Sequence, residues 1–367
     1  MSPQKGTEVP VRKVSGLETS EEDEQQRAES FEFISADKCP AHLLREITDF
    51  LDSQNTSHPF QFPQWAGGKP YLALYRRQGR LCWFAQCGVF YPASRVLRSV
   101  RALAVNRGPV ADDLDIVESG LRHLVDAATR NRFAFVEIIP EWSGSFAAAA
   151  GRMLSESGWQ STDEARTSLR VKLSGELEPL LASFRKVTRY EIRRCQKLSV
   201  EVTMATSEKD HEDWIRVYGE MAMEKDFAPE DFGHIRKVLR WLGTEPARGG
   251  LLLARKDSRT VGGIVIIRSG TRCWYVWGAT AKDDKFSPGH LLQWRAIQWA
   301  KEIGCGEYDF CGYREGTQSG TAFFKRGFSD DVVTFSPASR YITNRSRQRT
   351  SEIVRRVSLR LQPFRKS

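Results

Sequence analysis

The sequence predicts a duplicated α/β domain, and two internal correspondences predict it. Residues 71–75 (Tyr-Leu-Ala-Leu-Tyr) lead through the polar turn Arg77-Gln78-Gly79-Arg80 into a strand ending near Val89. Residues 251–255 (Leu-Leu-Leu-Ala-Arg) lead in the same way through Lys256-Asp257-Ser258-Arg259 into an apolar run over residues 263–267. Each is a pair of apolar runs about a polar turn, the pattern of a β-hairpin. Further on, the apolar strand at residues 133–140 leads to a helix ending at Glu156-Ser157-Gly158-Trp159. A second strand at Tyr308-Asp309 leads to a helix ending at Arg326-Gly327-Phe328. The offset is roughly 175 residues, far too long for a solenoid and right for a repeated domain. The predicted organisation is a tail at 1–30, a first lobe at 31–173, a second lobe at 174–340 and a basic tail at 341–367, each lobe a mixed sheet flanked by helices.

Composition agrees. The 367 residues are 40% hydrophobic and 11% aromatic, ample for two packed cores. No apolar run approaches the ~18 residues of a membrane span, and the N-terminus has no basic-plus-apolar signal pattern, so the expected location is the cytoplasm. Seven cysteines then read as reduced thiols. Cys82 and Cys87 are close in sequence, but with no His or Cys cluster beside them no zinc site is expected.

The two tails differ in kind. Residues 1–30 mix Pro, Gly and Ser with the acidic run Glu21-Glu22-Asp23-Glu24 and offer no apolar face, which predicts disorder. In the last segment eight basic residues, from Arg345 to Lys366, stand against Glu352 alone, so this tail carries about +7 of the formal +9 and the body is near neutral. Ile353, Val357, Leu361 and Phe364 recur there at helical spacing. A basic amphipathic helix of this kind fits an anionic membrane surface, a tRNA backbone or a dock on its own domain.

Three segments carry candidate chemistry. Gly306-Glu307-Tyr308-Asp309-Phe310-Cys311-Gly312 places an acid in a buried strand, and Phe323-Phe324-Lys325-Arg326-Gly327-Phe328 places a lysine among aromatics on a short helix. A buried ammonium needs an anion or oxyanion to meet it, whereas a lysine that only lays its stem over apolar surface keeps its head in water. Residues 177–194 read as one Pro-started helix whose Arg185, Arg189 and Arg193 fall four apart, a stripe that suits phosphate or is a solvated face. Gln61-Phe62-Pro63-Gln64-Trp65-Ala66-Gly67-Gly68-Lys69 is a second anion candidate. A Gly-x-Ser-x-Gly elbow, a Walker loop and a His-Glu-x-x-His helix are all absent from the sequence.

An aromatic strand over residues 271–280 precedes Ser287-Pro288-Gly289-His290, which opens an apolar-periodic helix; the Tyr-Asp strand and the Phe-Lys helix follow. This ordered set resembles the FemABX aminoacyltransferases over roughly residues 30 to 340. The resemblance implies two tandem acetyltransferase-like (GNAT) lobes and transfer of an amino acid from aminoacyl-tRNA to an amine of a peptidoglycan precursor or related peptide. It implies Lys325 as the group that meets the oxyanion or the leaving ribose oxygen, with Phe324 shaping the channel. Asp309 either orients the amine or caps a strand end. Lys69 and Trp65 resemble the family's acceptor diphosphate segment, Arg185, Arg189 and Arg193 its acceptor- or tRNA-contacting segment, and Tyr275 and Trp277 are candidates to line the acceptor peptide or simply pack the core. No cofactor or metal is implied, because aminoacyl-tRNA is itself the activated co-substrate. The implied partners are that tRNA and a nucleotide- or lipid-linked cell-wall precursor, in the cytoplasm or peripherally at the inner membrane face. The alternative is an acyl-CoA acyltransferase of exopolysaccharide or surface-lipid assembly. Such enzymes cradle pyrophosphate on amides at a helix N-terminus, where Ser287-Pro288-Gly289-His290 places a proline.

Overall fold

The computed structural model describes residues 29–92, 100–281, 285–314 and 319–361, in the last helix without the side chains of Ser351 and residues 355–361. Almost all of the predicted 1–30 tail lies outside the described residues. The first sheet contains β1 (Glu29–Ser35), β2 (Tyr71–Arg77), β3 (Arg80–Phe90), β4 (Ala102–Asn106), β5 (Phe135–Ile139) and β6 (Gln160–Ser161). The second contains β7 (Thr167–Lys172), β8 (Glu201–Met204), β9 (Gly249–Lys256), β10 (Arg259–Ser269), β11 (Arg272–Thr280), β12 (Glu307–Asp309) and β13 (Asp331–Thr334). The last strand, β14 (Ser339–Ile342), returns to the first sheet.

Spatial order is β1-β2-β3-β4-β5-β14-β6 in one sheet and β8-β9-β10-β11-β12-β7-β13 in the other. The two orders correspond strand for strand: antiparallel neighbours throughout except for one parallel pair, β4 with β5 and β11 with β12. The duplication legible in the sequence is therefore a duplication of topology. It is also reciprocal. β7 follows β6 in the chain yet inserts between β12 and β13, and β14 follows β13 yet inserts between β5 and β6. The sequential boundaries at 173 and 340 consequently do not follow the sheets, since each lobe lends the other its last strand. Nothing in a six-residue apolar strand specifies which distant edge it will join, so a boundary drawn from local pattern cannot register the exchange.

Helices α1 (Ala41–Ser53), α2 (Leu114–Arg130) and α3 (Gly144–Glu156) serve the first lobe. Helices α4 (Leu177–Ser183), α5 (Lys186–Lys197), α6 (Glu208–Glu224), α7 (Phe232–Thr244), α8 (Pro288–Glu302) and α9 (Gly320–Arg326) serve the second, and α10 (Arg345–Leu361) is the helix predicted in the basic tail. α2 shows how sequence sets these elements. Asp113 accepts from the backbone N–H of Asp115 and Ile116 at its start, and Val117, Leu121, Leu124 and Ala128 form its buried stripe. Gly120 on that stripe lets the helix lie on Trp83, because a Cβ there would sit 2.5 Å from the indole. In α10, Ile353 is 61% exposed, so at that position the tail helix does not dock on its own domain.

One apolar cluster joins the lobes. Leu43, Ile47 and Leu51 of α1 share it with Leu251 and Leu253 of β9, Val265 and Ile267 of β10, and Trp214 of α6. Arg248 pins the same boundary, donating to both Asp52 oxygens at 2.9 and 2.8 Å with its guanidinium 4.4 Å from the Phe62 ring centroid. With the exchanged strands, this shared core makes the two lobes one packing unit. Among the described residues, no helix is long and apolar enough to cross a membrane.

Candidate active site

The parallel seam of the second sheet is short. β11 and β12 pair only from Arg272 with Glu307 to Trp274 with Asp309, after which the chain turns away through Cys311 (φ 49°) and Gly312 (φ 40°). β11 runs on to Thr280 with β10 on one side and, among the described residues, no strand paired on the other beyond Trp274. The parted strands open a channel of about 560 Å³, with Ile264, Tyr275, Gly278, Thr280, Gly289 and Phe324 in its wall. Tyr275 faces it and Trp277 does not. A β-bulge skips Val276 in the pairing with β10, so residues two apart, which ordinarily share a face, leave on opposite faces. Tyr275 packs with Phe310 in the second-lobe core, and Trp277 stacks on Trp65 at 4.9 Å in the cluster between the lobes. The expectation that both line one ligand is corrected by that bulge.

Lys325 stands at the far end of the Phe-Lys helix, with its side chain almost wholly buried at 6% exposure. Its ammonium is not in water. It donates to the carbonyl oxygens of Phe310 at 2.9 Å, Gly312 at 2.8 Å and Cys311, and lies 5.8 Å from the Tyr275 ring centroid. Burial pulls its pKa below the ordinary lysine value. Its three donors thus grip the loop that turns away from the seam. Asp309 grips the loop from its other end, accepting from the Cys311 N–H at 2.8 Å, the Ser168 hydroxyl at 2.5 Å and Arg170 Nε at 2.9 Å. Both partner side chains come from β7, the strand lent by the first lobe. Phe324 forms the channel wall beside His290, with ring centroids 4.8 Å apart.

The start of α8 borders the same channel. The Ser287 N–H donates to Glu191 Oε2 at 3.3 Å, Pro288 has no N–H, and the His290 N–H is turned to the Ser287 carbonyl at 3.2 Å. A helix N-terminus that would otherwise offer amides to an anion is here occupied by a carboxylate and a proline.

Across the 310–312 loop lies a second cavity, a polar cleft of about 620 Å³ lined by Arg107, Arg166 and Thr167 from one side and Gly312 and Tyr313 from the other. Glu141 sits at this cleft with its side chain fully buried. Oε1 accepts from Arg107 at 2.5 Å and from Arg166 at 3.0 Å, while Oε2, Arg166 Nε and Arg170 Nη2 are buried without a hydrogen-bond partner. Loss of solvation raises the Glu141 carboxyl to about 7, against the pull of Arg107. Sequence reasoning did not select Glu141, Arg166, Arg170 or Glu191. The available signal was a charge inside an otherwise apolar strand, as Arg170 is in Thr-Ser-Leu-Arg-Val-Lys, or directly after one, as Glu141 is.

The remaining predicted residues lie elsewhere. Lys69 is exposed and pairs with Asp37 at 3.0 Å, and Trp65 is buried between Phe60 and Trp277. The arginine stripe does not form. Phe184, buried in an extended conformation against Trp294 and Phe328, splits the predicted single helix into α4 and α5. Arg185 becomes the residue before α5, 3.4 Å from Asp330; Arg189 turns back to the carbonyls of Ala182, at 2.8 Å, and Phe184; Arg193 is exposed. Among the described residues no group of three or more His, Cys, Asp or Glu is placed to hold a metal.

Residues 182–326, which carry the channel, α5 and Lys325, match the family model described as an acetyltransferase (GNAT) domain. The chain is similar in structure to FemX, with a TM-score of 0.73 over 84% of this chain and 98% of that one at 15% identity. The fold is that of FemX. The chain is similar, less closely, to the C-terminal domain of a putative lysylphosphatidylglycerol synthetase from Agrobacterium fabrum, with a TM-score of 0.56, 12% identity and coverage of 86% of this chain and 95% of that one. L-PGS from Bacillus licheniformis gives a TM-score of 0.50 at 14% identity over 76% and 86%. No curated protein matches the sequence. In this FemX fold the open seam, the gripped loop and the interlobe cleft all meet at residues 310–312.

Proposed function

We propose that the protein is an aminoacyltransferase that moves an amino acid from aminoacyl-tRNA to an amine of a peptidoglycan precursor or a related peptide. The observation that carries this reading is the closed N-terminus of α8. In a GNAT fold with a FemX-like course, the position suited to a coenzyme A pyrophosphate holds Glu191 and Pro288, so an acyl donor without a pyrophosphate there fits better.

The donor ester enters by the channel, and the acceptor lies in the interlobe cleft, where Arg107 and Arg166 suit a phosphate-bearing carrier. The amine nitrogen attacks the ester carbonyl carbon; a C–N bond forms and the carbonyl electron pair moves to oxygen. When the tetrahedral centre collapses, the C–O bond to the ribose breaks and the ribose oxygen takes up a proton. The ester is already activated, so alignment and charge stabilisation suffice and no further cofactor is needed. Lys325 supplies positive charge in a dry site, exchanging one of its three carbonyls for the oxyanion. Glu141, with its carboxyl near neutrality and one oxygen free, accepts the proton released by the amine. Phe324 shapes the channel wall. Charged tRNA places the reaction in the cytoplasm, and a lipid-linked acceptor would bring the protein to the inner membrane face, where the basic α10 offers a contact.

The test is incubation of purified protein with a pool of radiolabelled aminoacyl-tRNAs and with nucleotide- and lipid-linked cell-wall precursors, followed by mass spectrometry. An amide product that disappears on ribonuclease treatment is expected. Thiol release from an acyl-CoA, insensitive to ribonuclease, would instead establish the acyl-CoA reading that the GNAT match leaves as the alternative.

A further inference from the structure

The last strand delivers the chain to the end of the first sheet that lies away from the cleft. At one end β4 and β5 lead, through Asn106 and Ile139, to Arg107 and Glu141; at the other, Ala102 pairs with Phe90 and Phe135 with Ile342 of β14. There the start of α10 is tied to the turn after α2. The Thr343 N–H donates to the Ala134 carbonyl at 3.2 Å, Thr343 Oγ1 to that of Phe133 at 2.6 Å, and Arg347 Nη1 to that of Arg132 at 2.8 Å. Arg101 braces the same turn, donating to the Asn131 carbonyl at 3.1 Å with its guanidinium 4.8 Å from the Phe133 ring centroid. What remains outward is basic and apolar together. Arg130 and Arg132 of the turn and Arg345 and Arg349 of α10 are exposed; the acids beside them are Asp126, one turn before Arg130, and Glu352, which accepts from Gln348 at 2.9 Å. Arg345, Arg349 and Ile353 recur at intervals of four, so cations and an apolar side chain follow one another along α10, and in the sequence Val357 and Leu361 continue the interval. Ile353 is 61% exposed, and Tyr91, just past β3 at this end of the sheet, is 41% exposed.

We propose that this end of the first lobe docks on an anionic phospholipid bilayer, with Arg130, Arg132, Arg345 and Arg349 as headgroup contacts and Ile353 and Tyr91 as the apolar ones. The proposal deepens the reading above, on which its setting rests, by naming the surface that meets the membrane and the lipid charge it requires. Guanidinium groups pair with the phosphates of RNA and of lipid alike. The apolar residues separate the two. An RNA backbone gives no cover to an exposed isoleucine, whereas a bilayer interface takes in an isoleucine face and a tyrosine while its headgroups meet the arginines. Because the patch lies at the other end of β4 and β5 from Arg107 and Glu141, docking there leaves the cleft uncovered.

The experiment is sedimentation of the full chain with vesicles of phosphatidylcholine and with vesicles of equal parts phosphatidylcholine and phosphatidylglycerol, beside an anisotropy titration with an RNA stem-loop. The wild type should bind the anionic vesicles, leave the neutral ones, and be released as added salt screens the charges. Arg132→Ala and Arg349→Ala should each weaken vesicle binding about fivefold. Ile353→Ser should weaken it about tenfold, and Ile353→Leu, which keeps an apolar side chain, should not. All three positions are exposed, and thermal melts are expected to match the wild type. Equal binding to the two vesicle types overturns the proposal, as does wild-type binding by Ile353→Ser. Arginine variants that lose the RNA stem-loop and keep the vesicles also overturn it, by making the patch a nucleic-acid face. The assay contains no donor or acceptor, so these failures are distinct from a failure of the transfer reading, which is read from product formed on a nucleotide-linked acceptor without vesicles.

Discussion

The two lobes share one topology, yet their parallel seams end differently. In the first, β4 and β5 stay paired from Leu103 with Val136 to Asn106 with Ile139, and the chain that follows carries Glu141 and Trp142, both fully or nearly buried. In the second, pairing stops at Asp309, the loop is pulled aside by Lys325 and Asp309, and the gap is left as a channel. The first seam is followed by a buried indole and a buried carboxylate that pairs with Arg107 and Arg166; the second is held open at the cost of burying an ammonium. The same topology thus ends in buried side chains in one lobe and in a channel in the other.

The largest expected effect concerns the exchange that makes the lobes inseparable. A chain ending at residue 338 loses β14, leaving β5 and β6 without their shared neighbour and Trp159 without Tyr341, its partner at 5.5 Å. It should fail to give a cooperative melt, whereas a chain ending at residue 344 should melt within a few degrees of the full length. Equal melts for the two would show that the exchanged strand contributes nothing to the first lobe.

Next come the two charged groups on either side of the 310–312 loop. Lys325→Met should lower turnover roughly 10²- to 10³-fold, as loss of one oxyanion donor does, with donor and acceptor affinities nearly kept. An unchanged turnover with a lowered melting temperature would reduce Lys325 to a brace of the loop. Glu141→Gln should slow transfer about 10²-fold and remove the acidic limb of the pH–rate profile near pH 7. The same group gives a stability test. Because burial raises its folded pKa to about 7, above the ordinary glutamate value, the folded state holds the extra proton; its contribution is full at acid pH and is lost as pH rises through about 7. The melting temperature of the wild type should therefore fall relative to Glu141→Gln across that interval. A constant difference from pH 4 to 8 would contradict the raised pKa.

The smallest effect is at α8. Glu191→Gln removes the negative charge from the helix N-terminus and should change affinity for coenzyme A only a few-fold, read by calorimetry. A large gain would mean that this carboxylate alone separates the two donor classes.

How much of this was legible in the chain depends on whether the cause was local. The hairpins at 71 and 251 and the strand-helix units at 135 and 308 were readable because alternation and turn residues are local signals. The Phe-Lys helix and the Tyr-Asp strand were readable as an ordered motif, and they do meet at one loop. The exchange of β7 and β14 was not, since it is a choice between distant edges. Tyr275 and Trp277 could each line the acceptor peptide or pack the core, and the one-residue bulge at Val276, which no local pattern announces, sends them to opposite faces. The arginine stripe assumed a continuous helix, which burial of Phe184 interrupts. Glu141 carried only the signal of a charge directly after an apolar strand, and its raised pKa comes from the desolvation that folding imposes.

The assignment of the open seam to the donor is tested most directly by filling that seam. Gly289 lies in the channel wall, where a Cβ would be 3.6 Å from Phe324, while Gly151 in α3 of the first lobe faces open space. Gly289→Leu should fold as the wild type does, keep its affinity for the acceptor and lose transfer from aminoacyl-tRNA by about 10²-fold or more, the scale of a displaced reacting group; Gly151→Leu should transfer at the wild-type rate. Full-rate transfer by Gly289→Leu would contradict the assignment of this channel to the donor.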